Sequence, residues 1–193
     1  MDYVKTIQEI IGQSLAVKKA VLEDAAISEE ISAIVEIITE AFKKDKKVLF
    51  CGNGGSAADA QHIAAELSGR FYKDRSPLFA EALHVNTSYL TSVANDYSFD
   101  EVYSRLVEAK GREGDVLVAL STSGNSPNIV KALEQANVQK MVTIGLTGKN
   151  DGDMEDYCGY LLKVPSSDTP RIQEIHILFG HIICQLVEGN LFE

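Results

Sequence analysis

One pattern limits the fold of this chain more than any other. Short β-rich runs give way to polar loops and then to helix-like stretches. KVLFC (47–51) leads into GNGGS and then AADAQHIAAELSGRF, and DVLVAL (115–120) leads into STSGNSP and then NIVKALEQANV. MVTIGLTG (141–148) and LLKVP (161–165) are two more such runs, and EALHVN (81–86) reads as a strand between the first and second. Successive strand–loop–helix units predict an α/β protein with a parallel sheet and helices on both faces, because a parallel connection must cross back over the sheet.

The flanks read as helices. Val4, Ile7, Ile11, Leu15, Val21 and Leu22 recur at roughly the 3.6-residue period across 2–24. Ser28 is a candidate N-cap for a second helix, with Glu29 and Glu30 in its first turn. Ile31, Ile34, Val35, Ile38, Ala41 and Phe42 form its apolar face, and the lysines after it read as a solvated helix end. A last helix is expected over 169–189. Its IHILFGHIICQLV segment is apolar nearly all round, so it should be buried against other helices or another subunit. The chain thus divides into N-terminal helices (1–45), a sheet core (46–168) and a C-terminal helix (169–189) of one domain spanning 1–193.

Composition narrows the partners. A net charge of −10 argues against a broad nucleic-acid or anionic-membrane surface but leaves room for a small anion site. No apolar stretch reaches about 18 residues, and MDYVKTIQEIIGQS lacks a basic segment ahead of an apolar one, so neither a membrane span nor a secretory signal is expected. Three widely spaced cysteines (Cys51, Cys158, Cys184) fit neither a disulfide framework nor a C-x-x-C zinc pattern, which suggests a reduced, cytoplasmic protein.

In parallel sheets, ligands bind outside the carboxyl ends of the strands. Two unusual loops are expected there. In Gly52-Asn53-Gly54-Gly55-Ser56 the glycines allow close backbone approach, and the following helix offers free N–H groups to an anion. The loop matches G-x-G-x-x-A, but no acid closes a second strand about 20 residues on, and there is no G-K-[ST], so a dinucleotide or P-loop reading fails. A tight strand–helix turn is the plain alternative. In Ser121-Thr122-Ser123-Gly124-Asn125-Ser126-Pro127, Pro127 suits the first helical position with Ser126 as N-cap. The remaining hydroxyls, with loop N–H groups and a helix dipole, suit a phosphate cradle without a lysine.

Titratable residues stand in apolar surroundings. His62 and Glu66, four apart, share a helix face among Ile63, Ala64, Ala65 and Leu67. They read as a solvated pair, as metal ligands or as an acid–base pair. Gln173, His176 and His181 interrupt the apolar last helix, each most simply as a satisfied core group. Gln173 and His181 lie about 12 Å apart along it, so one ion held by both requires a bend or different subunits. His84, placed in a strand, reads as a packing residue, Cys51 and Cys184 as core, and Cys158 as unreactive.

CGNGGSAADAQHIAAELSGRF, VANDYSFDEVYSRLVEAKGREGDVLVALSTSGNSPNIVKAL and RIQEIHI with a later His resemble the phosphoheptose isomerases of the sugar isomerase (SIS) domain family over about residues 28–189. The resemblance implies a three-layer αβα sandwich, extra N-terminal helices, and a cytoplasmic homotetramer with active sites at subunit interfaces. It implies conversion of sedoheptulose 7-phosphate to D-glycero-D-manno-heptose 7-phosphate, the first step toward activated heptose for lipopolysaccharide core or capsule. By position it assigns Ser121, Thr122, Ser123 and Ser126 to the phosphate and Asn53, Gly54, Gly55, Asn95 and Asp96 to the sugar, with Ser56, Arg70 and Gln173 in the substrate site. Glu66 would be the base and His181 the acid, and His62, Glu66, Gln173 and His181 would bind Zn²⁺. The same family includes a non-enzymatic tetrameric adaptor that binds the bacterial replication initiator. Retention of both Glu66 and His181 favours the isomerase. A sugar-phosphate-sensing regulator would need a basic DNA-reading surface that these helices lack.

Overall fold

The structure, a computed structural model, describes residues 2–192. Five parallel strands form one sheet in the order β2-β1-β3-β4-β5: β1 (Val48–Gly52), β2 (Ala80–Ala82), β3 (Val116–Leu120), β4 (Val142–Thr147) and β5 (Tyr160–Lys163). β1 and β3 are buried along their whole length. That explains their unbroken apolar runs, since a strand covered on both faces has no solvent side to alternate toward. Val48, Phe50, Val116, Val118 and Leu120 point into one core, and Leu49, Cys51, Leu117 and Ala119 into the other.

The first core is closed by α2 (Ala25–Lys43), α3 (Gly55–Ser68) and α7 (Thr169–Leu191). The second is closed by α4 (Thr87–Asp96), α5 (Ser104–Lys110) and α6 (Pro127–Val138). The chain runs outward from β1 to β2 and then returns to β3 on the other side of β1. The crevice between β1 and β3 is therefore the switch point where an open α/β sheet receives ligands. Gly52 pairs with Leu120, so the two unusual loops leave the sheet side by side and at the same level.

Several boundaries differ from the sequence reading. α2 starts at Ala25, capped by Asp24 accepting the Ala26 N–H at 3.0 Å, rather than at Ser28. The earlier start brings Ile27 into the core. The strand spans Ala80–Ala82, so only Glu81 and Ala82 of the EALHVN run join the ladder; the chain turns at Leu83, and His84 lies outside the strand. α3 ends at Ser68, which leaves Arg70 and Phe71 beyond the helix. α4 and α5 were not anticipated. α4 buries only Val93, so it carries almost no apolar periodicity to read.

α1 (Tyr3–Glu23) is helical as expected, and it buries no residue. Tyr3, Val4, Ile7, Ile11, Leu15 and Leu22 are all more than half exposed. Ser14 Oγ donates to Glu174 at 2.6 Å, and Arg171 Nη1 donates to the Ile10 carbonyl at 3.0 Å, which tethers α1 to the start of α7. No helix among the described residues is long and apolar enough to cross a membrane. Cys51 and Cys184 are buried core residues, and burial pushes the Cys158 and Cys184 thiols up to about 12.

His176 is fully buried on α7, and its Nε2 donates to the Thr147 carbonyl at 3.2 Å. Burial pushes its pKa down to about 4, against a small opposing effect of that bond. The depressed value fixes the sign of the linkage. Above pH 6.5 the ring is neutral folded or unfolded; as pH falls toward 4 only the unfolded chain takes up the proton. Urea unfolding should therefore show about 2 kcal/mol less stability at pH 5 than at pH 7.5 from this residue. His176→Leu should flatten that limb, since the Thr147 carbonyl keeps the Val164 N–H at 3.0 Å.

Candidate active site

The first loop is shaped by groups that leave no room for larger residues. The Gly52 carbonyl accepts the buried Tyr103 hydroxyl, and a Cβ on Gly52 would strike the Ser56 carbonyl. Gly54 takes φ +56°, in the left-handed region open to glycine. The Gln173 amide packs so closely on Gly55 that a Cβ there would lie 2.5 Å from its Nε2. Asn53 exchanges two amide hydrogen bonds, at 2.8 and 2.9 Å, with the buried Asn128 in the first turn of α6. That reciprocal pair stitches the two loops together. Asn128 carried no signal in sequence, because an Asn after Ser-Pro is unremarkable at a helix start.

The second loop gathers hydroxyls. Ser121 Oγ lies 3.0 Å from Ser126 Oγ and 3.5 Å from Ser123 Oγ. Ser126 occupies the N-cap position of α6, with Pro127 in the first turn as expected, but its side chain makes no capping bond. The hydroxyl turns instead toward Ser121. The N–H groups of Thr122 and Ser123 donate to no acceptor among the described residues. Gly124 adopts φ +71° and abuts the Asp151 carbonyl, so only glycine fits. Ser121, Thr122, Ser123 and Ser126 thus gather hydroxyls and N–H groups of a kind that suits an anion, and Lys149 lines the adjoining cleft with Thr122, Ser123 and Asn125.

A second cluster lies further along α3 and α7, which run side by side. His62 Nε2 is 3.1 Å from Glu66 Oε1, and the His181 ring lies 5.0 Å from the His62 ring, edge to face. One ligand atom each from His62, Glu66 and His181 all fall within 4.8 Å of one another. Two imidazoles and a carboxylate are a donor set that Zn²⁺ takes, so these residues fit the ion. The Glu66 side chain is 24% exposed and that of His62 49%, which leaves the cluster open to an incoming group.

Glu66 lies about 16 Å beyond Gly55 along α3. Gln173 sits with the first loop, away from His181 of its own chain. Ser56 is buried in the first turn of α3. Asn95 and Asp96 are exposed at the end of α4, where Asn95 Nδ2 donates to Asp96 Oδ1 at 2.9 Å, and Arg70 is exposed beyond α3. No hydrogen bond among the described residues joins these three to either cluster.

Comparison with known proteins decides the family. The SIS domain model matches residues 9–148. The chain is 53% identical over 186 residues to a phosphoheptose isomerase of Clostridium acetobutylicum, covering 96% of this chain and 95% of that one. The chain belongs to the phosphoheptose isomerase family of SIS-domain proteins. Its fold superposes on a phosphoheptose isomerase from Neisseria gonorrhoeae with TM-score 0.91 and 40% identity, covering 97% of this chain and 99% of that one. One from Francisella tularensis gives TM-score 0.93 at 32% identity, covering 98% and 100%. A phosphoheptose isomerase chain of this shape is a sugar-phosphate isomerase. The SIS model ends before α7, yet His181 on that helix completes the cluster.

Proposed function

We propose that this enzyme converts sedoheptulose 7-phosphate to D-glycero-D-manno-heptose 7-phosphate through an enediol, as the first step toward activated heptose for lipopolysaccharide core or capsule. The observation that carries the reading is a carboxylate beside two imidazoles on α3 and α7, in a chain that also bears a hydroxyl-lined loop between β3 and α6 suited to an anion. Aldose–ketose isomerisation needs one base able to reach two adjacent carbons and an acid at their oxygens. Glu66 takes the proton from C1 and returns it to C2. His181 gives a proton to the carbonyl oxygen at C2 and receives one from the hydroxyl at C1. Ser121, Thr122, Ser123 and Ser126 hold the phosphate, while Asn53, Gly54, Gly55, Asn95, Asp96 and Arg70 fix the sugar.

Zn²⁺ held by His62, Glu66, His181 and Gln173 would polarise the carbonyl and stabilise enediolate charge. The separation of Gln173 from His181 within one chain, and of the cradle from Glu66, supports a site assembled between subunits. The uncovered apolar face of α1 supports the same arrangement, since exposed apolar rows of that length mark interaction surfaces. We take the assembly to be a cytoplasmic homotetramer with no nucleic-acid or membrane partner. The adaptor reading is disfavoured because it has no use for a paired Glu66 and His181.

Purified enzyme with sedoheptulose 7-phosphate, assayed for heptose 7-phosphate, tests the reading. Turnover is expected, with loss on chelation and recovery on adding Zn²⁺. A folded oligomer that turns over nothing, with or without Zn²⁺, would exclude it, and turnover that survives chelation would remove the metal from the mechanism.

A further inference from the structure

The segment FYKDRSP (71–77) follows α3 with no secondary structure of its own, yet it is tied down firmly. The carboxylate of Glu188, on the last turns of α7, accepts the N–H groups of Phe71 at 3.1 Å, Tyr72 at 2.8 Å and Lys73 at 3.0 Å. It also accepts Arg75 Nε at 3.0 Å, and both side chains of this ion pair are only 2% exposed. Arg75 in turn donates from Nη2 to the carbonyl of Glu66 at 2.9 Å, and from Nη1 to those of Leu67 at 2.8 Å and Gly69 at 3.1 Å. These include carbonyls that the end of a helix leaves without partners. The pair thus joins the end of α3, the following loop and α7 into one rigid unit.

What that unit presents to the cluster is the ring of Phe71. It stacks on the imidazole of His181, with centroids 5.7 Å apart and planes 26° from parallel. His62 meets the same imidazole in an edge-to-face contact, with centroids 5.0 Å apart. A ring in contact with two others loses rotamer freedom that a half-buried histidine otherwise keeps. Proton transfer depends steeply on such orientation, and small displacements of a reacting group cost large factors in rate.

We infer that Phe71, clamped by the buried Glu188–Arg75 pair, is a positioning residue that sets the His181 imidazole for proton transfer. The inference rests on the isomerase reading above for its consequence in catalysis. The stack itself does not depend on that reading. Cutting the clamp at Glu188 endangers the fold, so Phe71 carries the test. Phe71→Leu keeps the apolar volume and removes the planar face, while Phe71→Tyr keeps the face.

With sedoheptulose 7-phosphate, Phe71→Leu should lower kcat about tenfold with KM nearly unchanged. Phe71→Tyr should restore it, and the melting temperatures should stay close to that of the parent. The three-bond Hα–Hβ couplings of His181 in the labelled enzyme give a second readout that needs no activity and, unlike a ring shift, does not answer to the loss of the Phe71 ring current. They should report one fixed χ1 rotamer in the parent and in Phe71→Tyr and rotamer averaging in Phe71→Leu, while those of His84 stay in place. An unchanged kcat in Phe71→Leu, or equal losses in kcat and stability, would overturn the positioning role. If the parent itself fails to turn over this sugar, the substrate reading falls, and the couplings alone decide: rotamer averaging at His181 in Phe71→Leu supports the positioning and unchanged couplings overturn it.

Discussion

Glu66→Gln should lower kcat on sedoheptulose 7-phosphate by about 10²- to 10⁴-fold, the range that a well-placed general base contributes. The substitution keeps volume and shape. It also keeps an oxygen that can accept from His62 Nε2, now 3.1 Å from the carboxylate. What it removes is the basic lone pair that carries hydrogen from one carbon to the next. Because Glu66 stands at the open edge of α3, with Leu67 rather than Glu66 facing the core, the melting temperature should hardly change. Steady-state kinetics beside a thermal melt checks both halves. Near-parent turnover by a correctly folded variant would remove Glu66 as the base.

The largest loss of stability is expected close by, where α3 and α7 end. Glu188→Ala should destabilise the fold by about 3–5 kcal/mol, because it strands a buried guanidinium. The N–H groups of Phe71, Tyr72 and Lys73 lose their acceptor as well. Burial by itself pushes the Glu188 carboxyl up, but the Lys73, Tyr72 and Phe71 N–H groups and Arg75 together outweigh it and hold it below the ordinary range. A depressed carboxyl stabilises the fold above its unfolded pKa and loses that contribution as pH falls through the folded value. Urea titrations of Glu188→Ala and of the double variant Arg75→Met/Glu188→Leu make the comparison. The double variant should regain part of the loss, since it leaves no unpaired charge although the three N–H groups still lack their acceptor. Equal instability in the two would show that packing rather than charge pairing dominates there.

The site was legible only in part, and the reason is physical. His62 and Glu66 announce themselves because four residues make about one helical turn, so spacing alone puts them on one face. The hydroxyl loop is equally local: Ser-Thr-Ser-Gly-Asn-Ser-Pro after a buried strand has few other uses. The arrival of His181 beside His62 is different in kind. It requires α7 to lie alongside α3 in one register, with Gly180 against Ile63 so that the helices can approach closely. No local pattern encodes that register. Asn128, Arg75 and Glu188 carry no local signal for the same reason, since Asn53 lies 75 residues from Asn128 and Glu188 lies 113 from Arg75. Ser28 misled because a cap is recognised by residue type, and Asp24 offers the same oxygen a turn earlier.

From its residues alone this chain determined a parallel sheet with helices on both faces, two unusual loops at strand ends, and a His–Glu pair on one helix face. Each is a matter of short-range periodicity or turn chemistry, which neighbouring residues decide between themselves. Packing decided the strand order that opens the crevice between β1 and β3. It also brought a third donor group, His181, from α7, and it buried an Arg–Glu clamp beneath the loop that bears Phe71. Those contacts are chosen by how distant apolar faces fit together, a property that no stretch of sequence carries by itself.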